Sequence, residues 1–286
     1  MRRSSVLPCL PLLDEHVPTT ASITRFRPAP PPECFLTAVQ QFSDFGTPTQ
    51  ELSDSGIPYF VNEFWTAQQR QGHAIHEISY RACFKPQLPE LFITRLTAPG
   101  EAVHDPFMGR GTTPVQAALM GRKPIGNDVS PLSVLLTRPR LVPPTVAEVL
   151  ERLSEGPWET GTVEREDLLA FYHPETLRRL CALRHWLLDH APVSHAYPDP
   201  VVDWIRMVAL NRLTGHSPGF FSVYTLPPNQ AVSVERQRKI NAKRCQVPPL
   251  RDVAGLIATK TRSLLKDGVP PALLSVYAAD RPIAGA

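Results

Sequence analysis

The chain has 286 residues, 30 Lys and Arg against 27 Asp and Glu for a net charge of +3, and a hydrophobic fraction of 42%. That length suits one large domain or two small ones with a sizeable core, and so small a charge excess does not by itself point to a polyanionic partner. Proline is the outlier, with 32 of 286 residues against a usual ~5%. Residues 1–33 read as a proline-rich arm. Their opening, "MRRSSVLPCLPLLDEH", has an apolar run broken by two prolines and stopped by Asp14 and Glu15, without a small-x-small cleavage site, so it is not read as a secretion signal. No run reaches the ~20 apolar residues of a membrane helix, and no membrane association is expected. The five cysteines, Cys9, Cys34, Cys83, Cys181 and Cys245, are scattered and form no pair or cluster with zinc spacing. That favours a reducing, cytoplasmic location and no structural metal.

Next in the chain, "PECFLTAVQQFSDF" and "FVNEFWTAQQRQG" read as short helices. In "FKPQLPELFITRLTAPGE" (84–101), Pro89 suits the first turn of a helix, with Leu91, Phe92 and Leu96 as its apolar face. "AVHDP" is a short strand ending at Asp105, "FMGRG" a loop, and "TTPVQAALMG" a helix capped by Thr112 and closed by Gly121. "KPIGNDVSP" is a second strand leading to Asp128. Residues 101–131 therefore predict one right-handed βαβ unit of a parallel sheet.

Residues 131–268 read as mainly helical, with spaced apolar faces in "TVAEVLERLSEG", "HPETLRRLCALRHWLLDH", "DPVVDWIRMVALNRLTG" and "LRDVAGLIATKTRSLLKDG". "HSPGFFSVYTLPPN" interrupts them as a loop with an aromatic cluster. The run "VERQRKINAKR" holds five basic residues against Glu235. "PALLSVYAAD" looks like a further buried strand, ending at Asp280.

The informative stretch is the loop. Gly109 and Gly111 leave no side chain between backbone and ligand, and the following helix starts with N–H groups that lack intrahelical partners. A carboxylate after the next strand suits the vicinal hydroxyls of a ribose. Together they suggest a nucleoside-bearing cofactor; the plainer alternative is a tight turn with Asp128 as a strand-end acid. The pattern is neither GxGxxG nor a P-loop.

The wording "DPFMGRGTT…ALMGRKPIGNDVSP" resembles the cofactor-binding core of DNA amino-methyltransferases, which methylate N6 of adenine or N4 of cytosine. The likeness is specific over about 84–131 and looser to 280. It implies a Rossmann-like α/β methyltransferase sheet that binds S-adenosylmethionine and acts on double-stranded DNA. It implies that Asp105, Phe107, Gly109, Gly111 and Thr112 hold the methionine end, that Asp128 binds the ribose, and that Asp280 lies near the adenine amino group. Phe84, Lys85 and Pro86 are candidates for the segment that closes over the methionine part. Arg110 departs from the pattern, which often has a small residue there; it is expected to face solvent or a nearby carboxylate.

In this family the chemistry needs Ser, Asn or Asp, then Pro-Pro, then Tyr or Phe, to accept hydrogen bonds from the target amine and stack on a base rotated out of the duplex. "TLPPNQ" (225–230) and "GIPYF" (56–60) match only in part. The catalytic residues are therefore unassigned, and the expectation is a chain truncated, frame-shifted or split before that motif, the sheet being incomplete and a second chain a possible source of it. The domains expected are the arm 1–33, a methyltransferase core of 34–131 with 269–286, and a large helical insertion, 132–268, as a DNA-recognition element. In that insertion Arg236, Arg238, Lys239, Lys243 and Arg244 are candidates for phosphate contacts, against the plainer reading of a solvated helix face. Phe220, Phe221 and Tyr224 could wedge a duplex or stack on a base, or simply anchor their loop. His173 and His185 read as surface or core residues. The alternative function is a non-catalytic DNA-binding or assembly subunit.

Overall fold

The computed structural model describes residues 32–64, 72–80, 83–159, 161–192, 199–226, 232–269, 271 and 273. A first helix, α1 (Pro32–Gln40), lies where one was expected. Beyond it the chain forms an antiparallel hairpin, β1 (Gln50–Asp54) and β2 (Ile57–Val61), with Leu52 opposite Tyr59. Ser55 and Gly56 turn the hairpin with positive φ, 52° and 80°, as the twist of a two-residue connection requires. The expected helix from Phe60 is corrected here, because Phe60 and Val61 end β2. The alternation of Ile57, Tyr59 and Val61 after a Ser-Gly turn is a strand signal. Residues 65–71 of that expectation lie outside the described residues. Thr49 Oγ1 donates to the Val39 carbonyl (2.6 Å) and Asn62 Nδ2 to those of Phe42 and Thr47 (both 2.9 Å), tying the hairpin's base to α1 and the loop after it.

Helix α2 (Gln87–Leu96) follows, but its buried residues are Pro89 and Ile93. Phe92 and Leu96, expected on its inner face, are exposed, and Phe92 leans on Phe35 of α1 with ring centroids 5.9 Å apart. The stripe through positions i and i+4 thus lies one residue round the helix from the predicted one.

The strand–loop–helix–strand reading holds. Strands β3 (Ala102–Asp105) and β4 (Lys123–Gly126) pair in parallel, Ala102 with Lys123 and Asp105 with Gly126, and α3 (Thr112–Leu119) connects them. Val115, Ala117 and Ala118 of α3 are fully buried, and Gly121 has the positive φ of 74° that ends many helices. Pro124 and Gly126 are buried on one face of the strand pair, whereas Ala102, His104, Lys123 and Ile125 are exposed on the other. The described fold is thus mixed α/β, with two small two-stranded sheets.

From Pro131 on the chain is mainly helical, as expected, with helices α4 (Pro131–Leu141), α5 (Val146–Ser154), α6 (Pro174–His190), α7 (Pro200–Arg212), α8 (Val234–Arg244) and α9 (Val253–Leu264). Their starts are chemically marked. Thr145 and Glu148 form a capping box on α5, the His173 ring accepts from Glu175 N–H at the start of α6, and Asp199 accepts from Val201 and Val202 N–H on α7. His185 pairs with Glu164 on the surface. Helix α7 is the axle: Val202, Trp204, Ile205, Met207 and Val208 are fully buried, as befits a helix covered all round. Asp203, also buried, is gripped by Arg138 of α4 and Arg206 of its own helix. One apolar core joins these helices to Ile75, Ile78, Val115 and Ala118.

The aromatic loop after α7 is held inward. Phe220, Phe221 and Val223 are buried, the Val223 N–H donates to the Phe171 carbonyl (2.8 Å), and the Arg212 guanidinium covers the Phe220 ring. Phe220 and Phe221 therefore anchor the loop and are not available to a duplex. Residues 227–230 of "TLPPNQ" lie outside the described residues. No helix among the described residues is long and apolar enough to cross a membrane.

Candidate cofactor site

Two loops meet at the carboxyl ends of β3 and β4, the edge where parallel sheets generally receive ligands. Asp105 Oδ1 accepts from the Phe107 N–H (3.0 Å), which turns the chain sharply out of β3. Met108 N–H then donates to the Asn127 carbonyl and Asn127 N–H to that of Asp105. Asp128 completes the join: Oδ2 accepts from Gly109 N–H (2.8 Å) and Oδ1 from Ser130 N–H (2.9 Å). Two acids 23 positions apart in sequence thus stand on adjacent loops. His104 Nε2 and Asn127 Oδ1 lie 2.9 Å apart at the open sheet face.

The loops that carry these carboxylates also expose apolar side chains. Phe107 is 82% exposed, Val129 98%, and Phe84, whose carbonyl accepts from Arg110, is also exposed.

The glycines serve the loop's own architecture as well. Gly109 and Gly111 have φ of 52° and 79°, a region that favours glycine. A Cβ at Gly111 would stand 2.2 Å from Thr137 Oγ1 of α4, so its lack of a side chain lets α3 and α4 close together. Gly109 faces the Tyr80 ring, 3.5 Å from where its Cβ would be. Gly111, not Thr112, is the N-cap of α3, and no side chain caps that end. Thr112 is its first helical residue, buried, with Oγ1 accepting from Arg110 Nε (3.1 Å).

Arg110 faces neither solvent nor a carboxylate. It is buried, and donates to the carbonyls of Ile78 (2.7 Å) and Phe84 (3.4 Å). Arg140, 0% exposed, donates in turn to the carbonyls of Arg110, Leu136 and Ile75. Burial lowers the pKa of Arg110, and burial together with the neighbouring Arg110 charge lowers that of Arg140 to about 9. Beside them His76 is pushed down to about 3, first by burial and then by Arg140, while Gln116 Oε1 bonds its Nε2 (3.0 Å). That imidazole is neutral at any ordinary pH. Sequence reasoning missed Arg140 and His76; an arginine inside "RPRLVPP" reads as an exposed loop residue, and no local pattern marks it as core.

Phe84 and Lys85 are exposed and Pro86 is buried at the start of α2. Asp280 lies outside the described residues. The basic candidates are on α8, where Arg236, Lys239 and Lys243 share one exposed face at helical spacing. Lys239 also bonds Glu235 (2.7 Å). Arg244 is laid over the Tyr224 ring, 3.7 Å from its centroid. Arg238 lies off that row, near Asp167, whose carboxyl is held below the usual range first by Arg165 and in part by Arg238. The helix is fixed from behind by polar bonds: Gln237 Nε2 donates to the Tyr224 carbonyl and Asn241 Nδ2 to that of Ala170.

A glycine loop tied to an acid on the next strand of a parallel pair is an arrangement met in nucleotide-binding units. A family profile described as DNA methylase matches residues 47–135. The segment runs from the hairpin through the βαβ unit into α4. The chain is similar to Type II methyltransferase M.MjaII of Methanocaldococcus jannaschii, with 45% identity over 69 residues, 24% of this chain and 13% of that protein. The chain therefore spans only a small part of this relative's length. No solved structure matches it.

Proposed function

We propose that the chain is the cofactor-binding part of a DNA amino-methyltransferase acting on N6 of adenine or N4 of cytosine, with a Rossmann-like core. The observation that carries this reading is the junction of Asp105, Gly109 and Asp128 at the ends of two parallel strands, in the segment matched by the DNA methylase family. The residues present fit S-adenosylmethionine. The exposed rings and alkyl groups of Phe107, Val129 and Phe84 suit its apolar parts, and the two carboxylates supply acceptors of the kind a ribose and an ammonium group need. Asp128 would take the ribose hydroxyls; Asp105, Phe107, Gly109, Gly111 and Thr112 the methionine end; Phe84, Lys85 and Pro86 its cover. Asp280 is proposed for the adenine amino group. Bound there, the cofactor supplies an electrophilic methyl group for the exocyclic amine of a DNA base.

On this reading residues 132–268 are the DNA-recognition element. The Pro-Pro-aromatic motif that accepts the amine's hydrogen bonds comes from further polypeptide, in continuation or as a second chain. Neither partial match serves: the Gly56 to Phe60 stretch is a hairpin turn and strand, and Leu226 has no acceptor in its side chain.

Calorimetric titration with S-adenosylhomocysteine tests the site. Asp105→Ala and Asp128→Ala are each expected to weaken binding by roughly tenfold or more, the value of a hydrogen bond to a charged group, with circular dichroism unchanged. Parent-like affinity in a folded Asp105→Ala protein would overturn the assignment.

A second reading, a non-catalytic DNA-binding subunit, rests on the exposed row of Arg236, Lys239 and Lys243. It needs α8 and not the loop.

A further inference from the structure

Residues 72–80 run beside the glycine loop with only one short 3₁₀ turn, Ala74–His76. Little secondary structure is there to satisfy their backbone, and buried carbonyls must find partners elsewhere. The partners are side chains from several elements. Arg140 Nη1 reaches the Ile75 carbonyl (3.4 Å), Lys260 Nζ that of Glu77 (2.6 Å), Arg110 Nη1 that of Ile78 (2.7 Å) and Asn211 Nδ2 that of Ser79 (3.0 Å). Asp267 Oδ2 accepts from Ala74 N–H (2.8 Å). Of these donors Arg110 alone sits in the loop between Gly109 and Gly111, and its Nη2 also reaches the Phe84 carbonyl. Its Nε bonds Thr112, at the start of α3. One buried guanidinium thus ties together the glycine loop, the first residue of the helix after it and the backbone at Phe84. The planar fork of donors is what allows three directions at once; a lysine offers a single point.

We propose that Arg110 is a positioning residue for the methionine end of the cofactor. By holding the backbone at Ile78 and Phe84 to the loop, it sets the exposed Phe84 and Lys85 beside Gly109 and Gly111 as one surface. The inference rests on the cofactor reading above. It gives a purpose to a large charged residue where the family pattern often has a small one. A small residue could not reach Phe84, so this chain's closing segment is fixed by the loop itself.

The test compares two ligands, S-adenosylhomocysteine and adenosine, by calorimetry on the full chain and on Arg110→Ser and Arg110→Lys. Hydrogen exchange is followed at the amides of residues 77–80 and 83–85. In Arg110→Ser, S-adenosylhomocysteine is expected to bind roughly tenfold or more weaker, adenosine within about twofold of the parent, and those amides to exchange faster. Arg110→Lys, which keeps the charge but gathers its donors on one nitrogen, is expected to recover part of the affinity, and carries the test if the serine variant fails to fold. Equal weakening of both ligands would mean a structural role only, and unchanged S-adenosylhomocysteine affinity would mean no role; either overturns the proposal. If the parent binds neither ligand, the cofactor reading itself falls, an outcome distinct from both.

Discussion

Helix α7 and the glycine loop are both tied to α4, and they are held by opposite means. The helix is wrapped in apolar side chains, Trp204 and Ile205 among them, with no exposed face to offer a ligand. The loop is held by directed polar bonds from Asp105, Asp128, Arg110 and Arg140, and leaves Phe107 and Val129 in water. Burial is non-directional and consumes surface; hydrogen bonds fix a backbone while leaving its apolar side chains free to meet something else. The difference teaches where side-chain mutations should act: buried ones in the helix on stability, exposed ones in the loop on binding.

The largest effect is expected at the axle. Trp204 is fully buried and its Nε1–H donates to Thr261 Oγ1 of α9 (3.1 Å). Trp204→Ala is expected to cost about 3–5 kcal/mol, read as a lower denaturant midpoint. A loss below about 1 kcal/mol would break the contrast, since the helix would then not depend on burial.

Next comes a pH effect from the polar side of the comparison. His76 has a folded pKa of about 3 against about 6.5 in an unfolded chain. Between those values the unfolded state takes up a proton that the folded state refuses. Stability therefore falls as pH falls, by about 1.4 kcal/mol per unit below 6.5, or roughly 2–3 kcal/mol at pH 4.5. Above pH 6.5 both states are neutral and the effect vanishes. His73, also lowered mainly by burial, acts in the same sense. Thermal melts from pH 7 to 4.5 should slope downward in the parent and flatten in His76→Gln; parallel slopes would remove His76 as the cause.

The two glycines at the ends of α3 sharpen the same point. Gly111→Ala must adopt a positive φ and also displace Thr137, while Gly121→Ala meets open space. About 2–4 kcal/mol is expected for the first and about 1–2 kcal/mol for the second, the cost of the left-handed backbone alone. Equal losses in chemical denaturation would mean that α4 yields to the new methyl group.

What the sequence made legible follows the same division. The βαβ unit could be read because strand, loop, helix and strand are local patterns with local punctuation, Gly111, Pro114 and Gly121. The helices after Pro131 could be read for the same reason. The hairpin was hidden because a run containing Phe60, Phe64 and Trp65 fits two periodicities, and only the pairing of Leu52 with Tyr59 decides between them. Arg110 and Arg140 were illegible for a deeper reason. Their distant partners are backbone carbonyls 26 to 65 positions away, and a carbonyl has no sequence signature. The acids of the site were legible as candidates, but the bond from Gly109 N–H to Asp128, which joins the loop after Asp105 to the loop after β4, is a fact of tertiary structure.

The smallest stability effect, and the clearest functional one, is expected on α8. Arg236, Lys239 and Lys243 are exposed and touch little beyond Glu235, so replacing all three by Gln should change stability by no more than about 0.5 kcal/mol per site. Gln237 and Asn241 hold the helix from its other side and are untouched. If the row meets phosphates, duplex affinity should fall and the slope of log K against log salt should shrink by about 0.9 for each phosphate no longer neutralised. Asp128→Ala should leave that slope alone if, as proposed, the loop addresses the cofactor and not the backbone of DNA. An unchanged slope in the triple variant would take the basic row out of DNA binding and remove the support for a non-catalytic DNA-binding subunit. A changed slope with Asp128→Ala would show the two regions to be one surface, and the contrast between them would need to be redrawn.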